Sequence, residues 1–451
     1  MVNRPKIKRK YVKKICVLGL GYIGLPTSII LAENDFDVVG FDIDINKVER
    51  INNFDPIIQE PEISSKLKKV LSEKKFKAVK KIESADYFII AVPTPFKVTD
   101  NLEKQADLSY VWATIEFISQ VLKIGDTVIL ESTVPVGTTE ELARKLELSA
   151  NLKAGKDFFV AYCPERVFPG KIFYELENNS RVLGGINSSS AQKAQELYVK
   201  FVKGDLHLES STFAEMIKLV ENSSRDAQIA IANQVASLAY KVGIDPYKLI
   251  SIANEHPRVK ILNPTCGVGG HCIAVDPWFL VESFPEQTEL FKKSRQINDS
   301  KPYQVLTFIK DAISKWKLSK PNSKCKVAVL GLTYKPNVDD LRESPALLIA
   351  QELNKINEID FVAVEPYIEP EILNKKYNIK TERLEPALSD SNIIVCLVAH
   401  NYFKNLKNIL NKDQIILDFC GLMYEKKEVN TLGNRKKLKH ADTANLSPRS
   451  W

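Results

Sequence analysis

KICVLGLGYIGLPTSIILAEN, residues 14–34, sets a short apolar run before three spaced glycines and a second apolar run. The first five residues suit a buried parallel strand, and TSIILAEN reads as the helix that follows. Gly19, Gly21 and Gly24 form G-x-G-x-x-G. The first glycine permits a tight turn, the second lets backbone approach a pyrophosphate, and the third lets helix and strand pack closely. A second strand, DVVGFDID (37–44), reaches Asp42 about twenty residues on. A carboxylate there accepts from both ribose hydroxyls and repels a 2′-phosphate, so the pattern favours NAD over NADP. Three glycines alone fit a mere packing turn; strand, turn, helix, strand and acid together point to a dinucleotide.

The same run follows a basic stretch and imitates a secretory leader or a membrane anchor. Its three glycines and Pro26 interrupt it, and the nucleotide turn explains each interruption; no membrane partner is expected. At 451 residues the chain is too long for one ordinary core, and two to four domains are expected. Hydrophobic residues make up 44% and charged ones 26%, which excludes disordered and fibrous classes. The net charge of +7 owes much to KIKRKYVKK (6–14) and RKKLKH (435–440), read as solvated ends rather than nucleic-acid contacts. A mild positive balance suits a small anionic substrate. Seven cysteines without a C-x-x-C pair argue for reduced thiols in a cytoplasm.

Further strand-like runs are YFIIAV (87–92), TVILEST (127–133) and FFVAYC (158–163). Each ends in loop chemistry: PTP (93–95), STVPVGTT (132–139) and CPERVFPG (163–170). Sites of open α/β sheets gather where strands end, which makes Thr94, Thr133 and Glu165 candidates. Residues 212–242 read as one long helix closed by Gly243. Lys218 and Asn222, four apart, share a face of it, with Glu215 one turn earlier. A second helical stretch covers 246–255 and leads into HPRVKILNP. Near residue 325 the opening pattern returns as CKVAVLGLTYKP, with Thr333 and Pro336 in place of the second and third glycines. A second Rossmann-type sheet is expected, with FVAVEP (361–366), NIIVCLV (392–398) and QIILDF (414–419) as strands and Lys335 placed to meet a phosphate. Beyond Lys427 no apolar periodicity remains, and 428–451 read as a tail.

CGVGGHCIAVDPWF, residues 266–279, admits three readings. Cys266, His271, Cys272 and Asp276 are all zinc-ligand types, but adjacent His271 and Cys272 tend to point apart, and no metal is expected. A tight packed turn accounts for the glycines but leaves the cysteines idle. A nucleophile accounts for both, if Lys218 is the cation that stabilises its thiolate and backbone amides hold an oxyanion.

GLGYIGLP, ESTVPVG, CPERVFPGK, EMIKLVEN, HPRVKILNP, GVGGHCIAVDPW and GLTYKPNVDDLRESP, in order over about 13–425, resemble the UDP-glucose/GDP-mannose dehydrogenase family. CPER, HPRV and GGHC with AVDPWF are most similar to the branch that oxidises UDP-N-acetylmannosamine. The resemblance implies an NAD-binding Rossmann domain (13–205), a central long-helix dimerisation domain with the cysteine loop (206–310) and a Rossmann-like UDP-sugar-binding domain (322–427). It implies four-electron oxidation at C6 with two NAD⁺. Cys272 matches the nucleophile, Lys218 and Asn222 the oxyanion holders, and Asp276 the proton-transfer aspartate. Thr133 and Glu165 match the residues that hold the hydrolytic water. On the cofactor side lie Gly19, Gly21, Tyr22, Ile23, Gly24, Asp42, Lys47, Thr94, Thr133 and Arg342. On the side of the UDP-N-acetylhexosamine substrate lie Glu165, Arg166, Val167, Lys218, Asn222, Gly269 and Lys335. Arg258 matches an arginine that reaches a neighbouring subunit's site, which implies a homodimer built on the long helix. Thr265, Cys266 and Ser224 depart from the family pattern. No motif reads the C2 epimer, so UDP-N-acetylglucosamine stands as the rival substrate. A non-catalytic nucleotide-sugar-binding protein is the alternative of another class, and the intact Cys272, Lys218, Asn222 and Asp276 set argues against it.

Overall fold

The computed structural model describes residues 12–424 except 59, 99–103, 168–169, 271 and 412. The tail at 428–451, His271 and most of the basic leader therefore lie outside the described residues. The first domain contains ten strands: β1 (Lys14–Leu18), β2 (Asp37–Phe41), β3 (Phe76–Val79), β4 (Tyr87–Ile90), β5 (Phe96–Val98), β6 (Lys104–Ala106), β7 (Thr127–Leu130), β8 (Phe159–Tyr162), β9 (Arg181–Gly185) and β10 (Leu206–Ser210). Eight of them form one sheet in the order β10, β9, β8, β7, β4, β1, β2, β3, while β5 and β6 make a separate hairpin. From β3 to β8 every pairing is parallel; β8 and β9 run antiparallel.

The apolar runs form strands because both faces are covered. Ile15 and Val17 enter one core cluster and Cys16 and Leu18 the other, and β4 divides in the same way with Tyr87 and Ile89 against Phe88 and Ile90. Each such fully buried aliphatic side chain contributes roughly 1.5–3 kcal/mol. The order reverses between β1 and β4, where β2 lies to one side and β7 to the other. That switch point opens a crevice at the carboxyl ends of the strands, and Asp42, Thr94, Thr133 and Glu165 all follow such ends. Because β10 pairs with β9, the sheet extends to Ser210, past the expected domain end at 205.

The long helix expected at 212–242 spans Ser211–Lys241. It is tied to the first domain by Glu215. This buried carboxylate accepts from Gly137 N at 2.6 Å, Thr139 N at 2.8 Å and Thr139 Oγ1 at 2.6 Å, capping the helix Thr138–Ala150. Along it packs a second helix of equal length, Glu289–Ser319, with Pro302 inside it. The domain end expected at 310 falls within this helix. The last sheet, β11 (Cys325–Leu330), β12 (Ile359–Val364), β13 (Ile393–Cys396) and β14 (Ile415–Asp418), is parallel throughout in the order β12, β11, β13, β14.

Candidate active site

Gly19 has φ +93°, and a Cβ there would stand 2.6 Å from Ala91 O; on Gly24 it would stand 1.8 Å from Gly19 O. These two glycines are required by the turn itself. Gly21 is different: where its Cβ would stand, nothing lies within 4 Å. The space over the turn is kept for something other than protein, and the amides around it suit a pyrophosphate. Asp42, 6% exposed, accepts from Leu20 N and Lys47 Nζ, both at 2.9 Å, and from Asp44 N at 3.0 Å. The acid thus braces the turn while facing the ribose side, and the set fits a dinucleotide. Tyr22 turns its hydroxyl to the Glu60 carboxylate, which also accepts from Gly170 N at 2.8 Å. Ile23 leads into the helix Gly24–Glu33, and Thr94 and Thr133 stand half-buried past β4 and β7.

On the long helix, Asn222 Nδ2 donates to Asp276 Oδ2 at 2.5 Å. Lys218 Nζ, 8% exposed, donates to the main-chain oxygen of Glu165 at 2.6 Å. Asp276 opens the helix Asp276–Ser283, and its amide donates to Cys272 O at 2.8 Å, so the cysteine sits one turn ahead of the acid. Burial pushes the Asp276 carboxyl up to about 6, against the pull of Lys218 and the Asn222 bond. Burial, then the Asp276 charge, push the Cys272 thiol up to about 11, while Lys218 and Arg342 pull it down. The carboxyl therefore ionises far more readily than the thiol, and Lys218 and Arg342 are the charges that favour a thiolate, outweighed here by burial and Asp276.

The glycines of the loop serve packing. A Cβ on Gly269 would stand 2.5 Å from Glu343 O, and on Gly270 2.9 Å from the Tyr334 ring. Gly270 N also donates to Arg342 O at 3.1 Å. The loop is pressed onto the third domain, which brings Cys272 to face Arg342 and Lys335. Cys266 is no companion to Cys272. It lies in the third domain's apolar core with Sγ 3.7 Å from Leu397 O.

The Glu165 side chain turns inward, where Oε2 receives Arg181 Nη1 at 2.7 Å and Oε1 receives Arg166 N at 2.6 Å. Arg166 binds the Glu221 carboxylate at 2.7 Å and the Ser180 carbonyl, and Val167 packs on the first core. Lys335 is half-buried with Nζ 5.8 Å from the Tyr334 ring centroid; burial lowers its pKa, and Glu60 heads the charges that oppose this. Arg342 is held by Asp340, Nη2 to Oδ2 at 2.6 Å. A cleft of about 950 Å³ between the two sheets is lined by Tyr22, Glu60, Gly170, Tyr334, Asp340 and Arg342 among others. Arg258 stands apart, exposed in the loop beyond the helix Pro246–Ala253.

Sequence reasoning missed what lies behind Glu165. Glu131 is buried at the end of β7, accepts from Tyr198 at 2.5 Å, and is pushed up to about 7 by burial and the Glu165 charge. An acid closing the apolar strand TVIL was the available signal. Asn233 was also missed; its Oδ1 receives Thr265 N at 2.9 Å and fixes the loop's entry.

Three family models match in chain order: the UDP-glucose/GDP-mannose dehydrogenase family NAD binding domain over 13–202, its central domain over 212–300 and its UDP binding domain over 328–425. The chain belongs to the UDP-glucose/GDP-mannose dehydrogenase family. A UDP-N-acetyl-D-mannosamine dehydrogenase of Campylobacter jejuni is 44% identical over 416 residues, 90% of this chain and 99% of that one. An NDP-N-acetyl-D-galactosaminuronic acid dehydrogenase of Ralstonia nicotianae is 42% identical over 92% of this chain and 97% of its own. Among solved structures, the UDP-D-ManNAc dehydrogenase of Pyrococcus horikoshii has a TM-score of 0.82 at 40% identity, covering 92% of this chain and 96% of its own. This family member is an NAD-dependent nucleotide-sugar dehydrogenase. Among the described residues no helix is long and apolar enough to cross a membrane.

Proposed function

We propose that the enzyme oxidises C6 of UDP-N-acetyl-D-mannosamine from alcohol to carboxylate, consuming two NAD⁺ and one water and releasing two NADH and three protons. The observation that carries the reading is the unit formed by Cys272, Asp276, Asn222 and Lys218, with the Asn222–Asp276 bond joining the long helix to the cysteine's own helix. The Campylobacter relative's name supports the sugar.

NAD⁺, when held by the Gly19–Gly24 turn and Asp42, accepts the hydride of both oxidations. The chain's own residues do the rest. Asp276 takes the Cys272 proton, and the sulfur adds to the C6 aldehyde, forming the C–S bond of a thiohemiacetal whose oxyanion Lys218 and Asn222 stabilise. Loss of hydride from C6 leaves a thioester. Water beside Thr133 adds to it, the C–S bond breaks, and the acid and the thiol are regenerated; Glu165, paired inward with Arg181, has to turn from that partner to hold this water. Lys335 holds the diphosphate from the third domain. Seven cysteines without a C-x-x-C pair support a reducing cytoplasm as the enzyme's compartment.

The reading is tested by the NADH formed per sugar consumed. Two per UDP-N-acetylmannosamine are expected, with UDP-N-acetylglucosamine and UDP-N-acetylgalactosamine turned over far more slowly. One NADH per sugar would remove the role given to Cys272, and preference for the galacto sugar would place the enzyme with its Ralstonia relative.

The long helix and the turn after it carry the dimer reading. Val220, Ile231, Leu238 and Val242 repeat on one side and are 43%, 56%, 63% and 69% exposed. A second copy seated there would cover them and bring Arg258 towards its neighbour. Leu238→Glu is expected to turn a dimer into monomers by sedimentation; a wild-type monomer would end the dimer reading.

A further inference from the structure

We infer that Thr333 and His400 are positioning residues for Lys335; the inference rests on the reading of Lys335 as the lysine that holds the substrate's phosphates. The chain's two glycine turns, Gly19–Gly24 and Gly331–Pro336, correspond position by position.

Both turns begin with the same device. Gly19 has φ +93° and Gly331 φ +84°, and their amides donate to the neighbouring strand's last carbonyl, Phe41 O and Val364 O, each at 2.9 Å. The next amide donates to the acid just past that strand. Leu20 N reaches Asp42 Oδ2 at 2.9 Å, and Leu332 N reaches Glu365 Oε2 at 2.6 Å. The retained acid is therefore not a relic: it holds the turn in both halves.

The halves part at the third position. Gly21 faces open space, whereas Thr333, which takes its place, is wholly buried. Thr333 Oγ1 donates to Lys335 O at 2.9 Å. On the far side, Asn337 N donates to His400 Nδ1 at 2.9 Å. A main-chain N–H can only donate, so Nδ1 accepts and, in the neutral ring, Nε2 carries the hydrogen. Nε2 stands 3.2 Å from Thr333 Oγ1, whose own hydrogen is already directed to Lys335, and 3.4 Å from Glu365 Oε2. The chain of bonds runs from Asn337 N–H to His400, from His400 to Thr333, and from Thr333 to the Lys335 carbonyl. It closes a ring over residues 333–337 with Lys335 at its centre.

The rest of the surroundings fix the ring. His400 has no exposure, Tyr367 stacks on it at 4.8 Å, and Tyr367 OH donates to Asn337 Oδ1 at 3.0 Å. Glu365 Oε1 accepts from Tyr367 N at 2.9 Å, so both its oxygens serve main-chain amides. Where the first half leaves room for a ligand, the second has filled that room with a threonine, a histidine and a lysine base. Fixing the backbone under a long flexible lysine reduces the ordering cost of grasping an anion. Such help is the same in ground and transition state, so it appears in KM and not in kcat.

The test measures UDP affinity by titration calorimetry, together with KM for the nucleotide sugar and for NAD⁺, in Thr333→Val, His400→Leu, His400→Asn and Lys335→Met. Thr333→Val and His400→Leu are each expected to weaken UDP and raise the sugar's KM about tenfold, the scale of one well-placed hydrogen bond. They should leave kcat within about twofold and the NAD⁺ KM unmoved. His400→Asn offers Asn337 N an acceptor again and should recover most of the loss. In a Lys335→Met background His400→Leu should add nothing, because the two act as one unit. Unchanged UDP affinity in Thr333→Val and His400→Leu would overturn the inference, as would a loss shared equally with kcat and the NAD⁺ KM. If Lys335→Met itself leaves UDP binding intact, the reading of Lys335 is what fails, and the inference falls with it.

Discussion

Cys272→Ser is expected to stop the reaction short of the acid, with steady-state NADH formation down about 10³-fold or more. The side chain keeps its place and nearly its size, so NAD⁺ and sugar binding should hold within about threefold. What changes is the nucleophile. The thiol of Cys272 stands at about 11 in this structure, and Asp276 beside it at about 6. At neutral pH the carboxyl is therefore largely ionised and the thiol is not, so the proton leaves the sulfur only as the C–S bond forms, with Asp276 placed to receive it. A serine hydroxyl is a far weaker acid and gives Asp276 nothing it can deprotonate to a useful degree. The first oxidation needs no sulfur. A single-turnover experiment with hydroxylamine present should trap the C6 aldehyde with at most one NADH per site.

The pH profile carries the same logic. The base must be ionised to work, so the rate of the second half-reaction should climb as pH rises through about 6 and lose that limb in Asp276→Asn. Acid formation by Cys272→Ser at close to the parent rate would show that the sulfur takes no part.

What was legible in the sequence follows from where the signal lies. The dinucleotide turn could be read because local sterics demand it: Gly24 would clash with Gly19 O whatever the rest of the protein did. The long helix was legible from apolar periodicity and Gly243, and its ends at Ser211 and Lys241 lie within a residue of those expected. Other elements carry little local sign. In the helix Glu289–Ser319 the first buried positions are Ser294, Arg295, Asn298, Lys301 and Pro302, so the first half of its inward face looks polar in sequence, while Val305, Leu306, Ile309, Ile313 and Trp316 carry the apolar signal only in the second half. Strand β10 is mostly exposed at the sheet edge, so the brief alternation of Leu206, His207 and Leu208 marks no buried face. Strand β9 starts with a buried arginine whose partner, Glu165, is sixteen residues away.

The site divides along the same line. Residue types and i, i+4 spacing put Lys218 and Asn222 on one face, and the structure brings that face to Asp276. The resemblance puts Gly269 on the substrate side, yet where its Cβ would stand lie Glu343, Tyr334 and Pro345. Those residues come from another domain, and nothing near 266–270 announces them.

Arg295→Met is expected to be the most damaging single change outside the substrate-facing groups, at a cost of about 3–5 kcal/mol. Arg295 and Asp226 join the two long helices at 2.5 Å, with both side chains 1% exposed. Asn298 Nδ2 adds a bond to Asp226 Oδ1 at 2.8 Å, and Asp299 takes the second arm of the guanidinium. Removing the arginine leaves a carboxylate in the interior with one amide for company, and burial alone already pushes Asp226 upward. Asp226 stands one turn beyond Asn222 on the same helix. If the helix pair loosens there, Asn222 leaves Asp276, and kcat should fall along with the melting temperature. The control is Asp226→Leu combined with Arg295→Met, which removes both charges at similar volume. A buried pair replaced by apolar groups is often neutral, so the double variant should regain most of the melting temperature and of kcat. If the double variant melts as low as Arg295→Met, the pair holds the helices by more than the cancellation of two buried charges. If instead Arg295→Met melts like the parent, the two helices are held by their apolar contacts alone, and the polar seam in the first half of this helix contributes nothing to joining them.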